Sequence, residues 1–190
     1  MPLGLRNATV GPASGGRSSF RKDLRGAAAV EFAMVMPMLM ILYLGGFAIS
    51  QAASTWRKLS DTTSQLANVA AQYTTMQSND AQGVMAAAAQ IMAPYSTSNL
   101  SEVLTLVGVS AGGSATVTWS QAYNGGTALS QGAAVSLPTN MLQPGMSVVW
   151  VQTTYSYNPV VGANYVPAIT MHDQIYSAPR SSPSIPCSSC

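Results

Sequence analysis

The chain has 190 residues, of which 47% are hydrophobic and only 7% are charged, and its formal net charge is +2. An average soluble domain carries about 25% charged residues, so the composition excludes an ordinary highly charged soluble protein. Five of the eight lysines and arginines precede residue 26. The rest of the sequence therefore has no basic face for phosphates, and we expect no nucleic-acid partner.

Residues 1–26 are predicted to be a cytoplasmic leader. The first 20 residues are rich in Gly, Pro and Ser, and such a segment cannot bury enough apolar surface to fold by itself. A basic cluster at residues 21–25 follows directly. Because positively charged flanks stay on the cytoplasmic side of a membrane, the N-terminus is expected to remain inside.

A membrane-spanning helix is predicted at residues 27–50. The run from Ala27 to Ile49 contains one charged residue, Glu31, and at ~1.5 Å per residue it is long enough to cross a hydrocarbon core of ~30 Å. A carboxylate in such a helix costs roughly 2.5 to 3.5 kcal/mol and is usually functional. Pro37 predicts either a kink or a segment that loosens outside the bilayer.

Two helical patterns follow the membrane segment. Apolar residues recur at intervals of three and four up to Tyr73, which predicts one long helix that leaves the membrane. Trp56, beside two cationic residues, is a candidate interfacial anchor. A second helix is predicted from Asn79, as the capping residue, to Ala93, before Pro94.

Beyond Pro94 the apolar period changes to two, which indicates strands. The predicted fold class is therefore α+β, a long N-terminal membrane-spanning helix followed by a small antiparallel sheet packed on the helix's outer half. Residues 51–178 would form this extracytoplasmic domain, and residues 179–190 an irregular tail. The four predicted strands cover residues 103–109, 116–121, 146–157 and 165–176.

The segment Arg25–Met40, RGAAAVEFAMVMPMLM, places a glycine and a glutamate five residues apart before a long apolar run. It resembles the type IV pilin-like class and, more narrowly, the TadE-like minor pseudopilins of the tight adherence (Flp, type IVb) pilus machinery. The resemblance implies that a membrane prepilin peptidase cuts between Gly26 and Ala27. It also implies a single-pass bacterial inner-membrane protein whose partners are other pilins or minor pilins.

Glu31 would act in assembly rather than in catalysis. Cleavage would create a charged amine at Ala27, and the Glu31 carboxylate, one helical turn further on, can meet the amine of a neighbouring subunit. A shared ion pair offsets part of the cost of desolvating both groups. Alternatively, Glu31 could snorkel to the cytoplasmic interface. The resemblance implies a protein with no enzymatic reaction and no cofactor.

The sequence is also compatible with two other targeting routes. The chain could be an uncleaved signal-anchored envelope protein whose sheet domain binds a ligand or partner. It could also be secreted after cleavage near Ala48–Ser50, although the apolar run is longer than the ~7 to 15 residues of a usual signal sequence.

The remaining candidates are His172, Asp173 and two cysteines. The His172–Asp173 pair lacks any recognisable nucleophile motif and is interpreted as a surface feature. Cys187 and Cys190 would lie in an oxidising compartment and could form a disulfide. One histidine and two cysteines do not complete a structural zinc site, so no metal is expected.

Overall fold

The computed structural model describes residue 11, residues 24–160 and residues 167–190, with side chains from residue 26 onward in the first helix. The chain divides into two compact units, Met1–Tyr43 and Leu44–Cys190. Most of the predicted leader, and Tyr165 at the start of the predicted last strand, lie outside the described residues. The predicted domain boundaries stay predictions.

The first helix, α1, runs from Leu24 to Ala70, as the continuous apolar pattern predicted. All described side chains from residue 26 to residue 50 are exposed except the half-buried Ala48. Further along, the buried positions Leu59 and Leu66 are seven residues apart and share one helix face. The two halves of α1 therefore present different surfaces, apolar all round in the first and one-sided in the second.

Three threonines lie on the buried face of the second half of α1. Each hydroxyl of Thr55, Thr62 and Thr63 donates to the carbonyl oxygen four residues earlier, at 2.8 to 3.0 Å. Because these local bonds satisfy the hydroxyl groups, the threonines can be buried without an unpaired donor.

The second helix, α2, spans Ser78–Ala89 and continues as a 3₁₀ turn over Gln90–Met92. The prediction that Asn79 caps this helix is wrong, because Gln77 is the N-cap and its backbone N–H donates to Asp80 Oδ2 at 3.0 Å. The helix begins early enough to place Asp80 at the third position, from which a carboxylate reaches back to the cap. The predicted end before Pro94 is confirmed.

Four antiparallel strands form one sheet in the spatial order β2-β1-β3-β4. This confirms the predicted α+β class, a long N-terminal helix followed by a small antiparallel sheet. The strands are β1 (Leu100–Val109), β2 (Ala115–Tyr123), β3 (Ser147–Tyr157) and β4 (Ile169–Ser177).

The sheet packs one face on α2 and on the second half of α1. Leu104 and Leu106 of β1, which are both fully buried, join α1 residues such as Leu66 in the main core. A second cluster joins Leu59 to Leu100 and to aromatic residues of β3. The sheet therefore covers the outer half of the long helix, as predicted.

Part of the opposite face of the sheet is covered by the connection between β2 and β3. This connection begins at the predicted turn, where Asn124 has a φ of 48° and its Nδ2 donates to the Leu100 carbonyl oxygen at 2.7 Å. Its Leu137 packs against Val107 and Val148 in a third apolar cluster. The connection therefore covers part of this face, whereas His172 and Gln174 of β4 are exposed.

The C-terminal tail is held against the domain. Ile185 is fully buried in the main core, and its carbonyl oxygen accepts a bond from Trp119 Nε1 at 2.7 Å. The backbone N–H of Met76 donates to the Pro186 carbonyl oxygen at 3.0 Å, and that of Arg180 donates to the Ala71 carbonyl oxygen at 2.8 Å. The tail thus ties the α1–α2 connection to the sheet.

One carboxyl group, that of Glu102 on β1, is enclosed between the sheet and the helices. The residue is fully buried, and among the described residues neither carboxyl oxygen has a hydrogen-bond partner. Glu102 pairs across the sheet with Thr153, whose hydroxyl is 2.6 Å from that of Thr63 on α1. Desolvation by burial raises the pKa of Glu102 from 4.5 to about 8.

We expect Ile185→Ala to lower the free energy of unfolding by about 2 to 5 kcal/mol, because it removes a fully buried side chain from the main core. Denaturant unfolding of the full chain in detergent micelles, followed by tryptophan fluorescence, measures the change. Ser188→Ala, at an exposed tail position, should stay within about 0.5 kcal/mol of the original chain. Equal stability of both variants would show that the tail does not contribute to the core.

Glu102 predicts a pH dependence of stability. Its pKa is raised in the folded state, so the unfolded chain releases this proton near pH 4.5 and the folded chain only near pH 8. Stability from this group is therefore complete below pH 4.5 and is lost as the pH rises to about 8, at up to ~1.4 kcal/mol per pH unit. To test this pH dependence, the free energy of unfolding is measured for the original chain and for Glu102→Gln between pH 4.5 and pH 8. Parallel stability curves would contradict burial of a neutral carboxyl group.

Candidate functional site

The predicted processing bond joins Gly26 to Ala27 in the first turn of α1, which begins at Leu24. A Cβ placed on Gly26 would meet nothing within 4 Å, and both residues are exposed. The first N–H groups of a helix have no partner within it, and glycine disfavours the helical state, so this turn unwinds at low cost. Both residues that form the bond are therefore exposed, in the first turn of α1.

Glu31 lies four residues after Ala27 and therefore one turn further along the same helix face. Its side chain is exposed, as are those of its neighbours Val30 and Phe32, at 63% and 62%. Among the described residues, those within one helical turn of Glu31 are alanine, valine, phenylalanine and methionine, which offer no charge to pair with. This arrangement suits a charged partner on another molecule, or a lipid interface.

The surface around Glu31 is apolar over the whole of residues 27–50. Among the described residues, one helix is long and apolar enough to cross a membrane, and it is the part of α1 from Gly26 to Ala70. Its methionines are exposed, with Met34 at 79%. An apolar surface of this extent in a water-soluble protein would aggregate, so it needs lipid or other helices around it. One N-terminal apolar helix of this kind fits a single-pass membrane anchor.

Pro37 lies inside α1, which continues through it. Proline removes one hydrogen bond of the helical ladder and crowds the preceding turn. Both sequence interpretations, a kink and a loosening point, remain predictions.

His172 and Asp173 do not form a catalytic pair. They are consecutive residues of β4, so their side chains point to opposite faces of the sheet. The His172 Nδ1 atom is 3.0 Å from Thr154 Oγ1 at an exposed position. The two side chains therefore do not act together as the His–Asp part of a catalytic triad.

In the structure Cys187 and Cys190 are joined by a disulfide, with their Cα atoms 5.6 Å apart. The hydroxyl of Ser189, inside this small ring, accepts a bond from the Ser78 N–H at the start of α2, at 3.1 Å. The ring therefore lies at the N-terminus of α2, where an acceptor satisfies an otherwise unpaired N–H. Among the described residues, no three His, Cys, Asp or Glu side chains are grouped to hold a metal ion.

Sequence reasoning missed Glu102 and the anchoring of Ile185. The signal for Glu102 was its position between Leu100 and Leu104 in a strand of period two, which assigns all three to the same face. Ile185 is the one aliphatic residue in a tail rich in Ser and Pro. Both residues are fully buried in the domain that follows Leu44.

Comparison with known proteins supports the interpretation of the first helix. Residues 26–72 match the family described as TadE-like protein. Searches of curated proteins and of solved structures found no match. The matched residues include Gly26, Glu31 and nearly all of α1. The chain therefore has a TadE-like N-terminal segment, and the resemblance inferred from the glycine, the glutamate and the apolar run is confirmed over these residues.

Proposed function

We propose that this protein is a minor pseudopilin that takes part in assembly of a Tad (Flp-type) pilus. The match to the TadE-like family indicates involvement in a Tad pilus system, and this observation carries the proposal. The finer role rests on the placement of Gly26 and Glu31 at the start of an exposed apolar helix. Its proposed partners are a prepilin peptidase and other pilins or minor pilins of the same system.

The proposed location is the bacterial inner membrane, with the N-terminus cytoplasmic and the sheet domain periplasmic. The basic residues before residue 26 favour this orientation. The exposed half of α1 ends at Ser50, and from Gln51 onward the helix is partly covered by the domain. This change of surroundings supports residues 27–50 as the membrane segment and residues 51–178 as the exported domain.

Processing would consist of hydrolysis of the Gly26–Ala27 peptide bond by a prepilin peptidase. The absence of a side chain at Gly26 leaves open space around the bond, and unwinding of the first helical turn would present it in extended form. Hydrolysis would remove the basic leader and leave an ammonium group at Ala27. The new N-terminus would then lie at the membrane boundary, next to the first turn of an apolar helix.

In assembly, Glu31 would pair with the Ala27 ammonium group of an adjacent subunit. Each charged group alone would have a high desolvation free energy in an apolar layer, and a close ion pair offsets part of that free energy. The pair would also set the axial position of one helix against the next, since a shift by one turn would leave both charges unpaired. Glu31 would therefore determine register more than overall affinity.

We propose no reaction for the protein itself, and proteins of this pilus-associated family are not known as enzymes. The Cys187–Cys190 disulfide is proposed to form after export, because thiols are oxidised in the periplasm and kept reduced in the cytoplasm. It would then hold Ser189 at the N-terminus of α2.

We expect the mature protein to start at Ala27 only in cells that contain an active prepilin peptidase. N-terminal sequencing and intact mass of the membrane fraction measure this, and a disulfide lowers the mass by two hydrogen atoms. Gly26→Ala should block or strongly slow the cleavage, because the peptidase then meets a side chain beside the scissile bond. Gly45→Ala is the matched control, since that glycine lies in the same helix and also has open space around it.

An intact leader with and without the peptidase would contradict the proposal and leave an uncleaved, signal-anchored envelope protein with a partner-binding sheet domain. A mature chain that starts near Gln51 would indicate secretion by an ordinary signal peptidase. Equal cleavage of both glycine variants would show that Gly26 does not define the site.

Glu31→Gln should leave processing intact and reduce incorporation into pilus complexes severalfold, because the amide keeps the shape of the side chain and removes its charge. Co-purification with other pilins after mild membrane extraction measures the effect. Partial recovery in Glu31→Asp would favour an ion pair over a packing role. Full assembly of Glu31→Gln would contradict the proposed role and favour a carboxylate that only reaches the lipid interface.

A further inference from the structure

The domain first contacts α1 at a defined level, directly after the exposed apolar residues. Residues 49 and 50 are exposed, and Gln51 is half-buried. The side-chain oxygen of Gln51 accepts a hydrogen bond from the Tyr95 hydroxyl at 3.2 Å. Ala52, one residue further, packs against the cluster that contains Tyr157 and Met171. The end of the sheet that holds these residues is therefore the end at which α1 enters the domain.

At this end the hairpin of β3 and β4 extends beyond β1. The first residue of β1, Leu100, pairs with Tyr155, whereas the pairing of β3 with β4 continues to Tyr157 and Ile169. Two more residues of strand at ~3.3 Å each place the last pair about 7 Å past the end of β1. The hairpin is thus the part of the sheet that projects furthest in this direction.

The composition of this end differs from that of an ordinary domain surface. Residues 44–56, 93–101 and 155–171 contain no Asp, Glu, Lys or Arg. Large apolar side chains are nevertheless exposed here, with Val160 at 83% and Ile169 at 44%. The absence of charge is not confined to this end, because residues 103–172 contain no Asp, Glu, Lys or Arg at all. What distinguishes this end is that exposed apolar side chains lie where α1 enters the domain.

Two residues of α1 fit the same surroundings. Trp56 is 46% exposed and lies six residues after Ser50, about 9 Å along the helix. The exposed Arg57 follows it, whereas Lys58 donates to the Ile91 carbonyl oxygen at 3.2 Å. Of the two cations, Lys58 caps the end of the second helix, and Arg57 remains available for a lipid phosphate. Tryptophan beside a cation is typical of the membrane–water interface.

We infer that this end of the domain, formed by Tyr95, Val160 and Ile169, contacts the head-group layer of the lipid bilayer. The Cα atoms of Trp56 and Arg57 lie ~9 to 10 Å beyond Ser50, and their side chains reach back to this layer because helical side chains tilt toward the helix N-terminus. The inference rests on the proposed membrane anchor, because α1 must leave the bilayer near Ser50 to bring this end to the surface. The head-group layer adds about 5 to 7 Å on each side of the hydrocarbon, and the hairpin, which extends past β1, is the first part of the sheet to reach it. The domain is then held against the membrane before assembly.

The test uses full-length protein reconstituted in vesicles of phosphatidylethanolamine and phosphatidylglycerol. Single nitroxide labels are attached at Val160→Cys, at Leu42→Cys within α1, and at Met146→Cys. Met146 is an exposed apolar residue, like Val160, but it precedes β3 at the opposite end of the sheet. Collision rates with oxygen and with a water-soluble nickel complex report the depth of each label.

We expect the label at Val160 to collide with the nickel complex severalfold less often than the label at Met146, and more often than the label at Leu42. Equal aqueous exposure at Val160 and Met146, with Leu42 in the hydrocarbon, would overturn this inference and leave the anchor intact. Aqueous exposure at Leu42 would overturn the proposed anchor and, with it, the contact of the hairpin with lipid.

Discussion

The structure depends on one helix that meets two different surroundings. The first half of α1 exposes apolar side chains on every side, and the second half buries a single stripe through Leu59 and Leu66. Burial of a large aliphatic side chain is worth about 1.5 to 3 kcal/mol, so this stripe, set against the sheet, determines where the domain begins on the helix. The main core of the sheet domain is built on that contact.

The sheet packs on the helices, and two segments without regular structure add to its core. The β2–β3 connection supplies Leu137 to one face, and the C-terminal tail supplies Ile185 to the other. The tail also bonds Trp119 and the α1–α2 connection. A small domain buries a smaller fraction of its surface than a large one. The apolar side chains of these two irregular segments therefore add needed buried surface to its core.

Glu31 and Glu102 show how the same side chain takes opposite roles. Glu31 lies on an exposed apolar helix and would gain from a charged partner on another subunit. Glu102 is enclosed between sheet and helices, and burial raises its pKa to about 8, so it is mainly neutral at pH 7. The first carboxyl group is exposed and the second is buried, so their surroundings favour opposite charge states.

The sequence by itself determined the elements whose signal is local. The apolar run after Arg25, the spacing of Gly26 and Glu31, and the change of period after Pro94 predicted the long helix, the TadE-like segment and the four strands. These signals depend on residues within one or two turns or along one strand, and such patterns are visible without the fold.

Only the tertiary structure decided which distant residues meet. In the structure Glu102 is buried between the sheet and the helices, and Ile185 is buried in the main core. Gln77, and not Asn79, is the N-cap of α2. The Tyr95 hydroxyl donates to the side chain of Gln51. Each of these depends on contacts between segments far apart in the chain or on a shift of one or two residues at a helix end. A local pattern does not encode such contacts, because they arise from the competition of all segments for the same core.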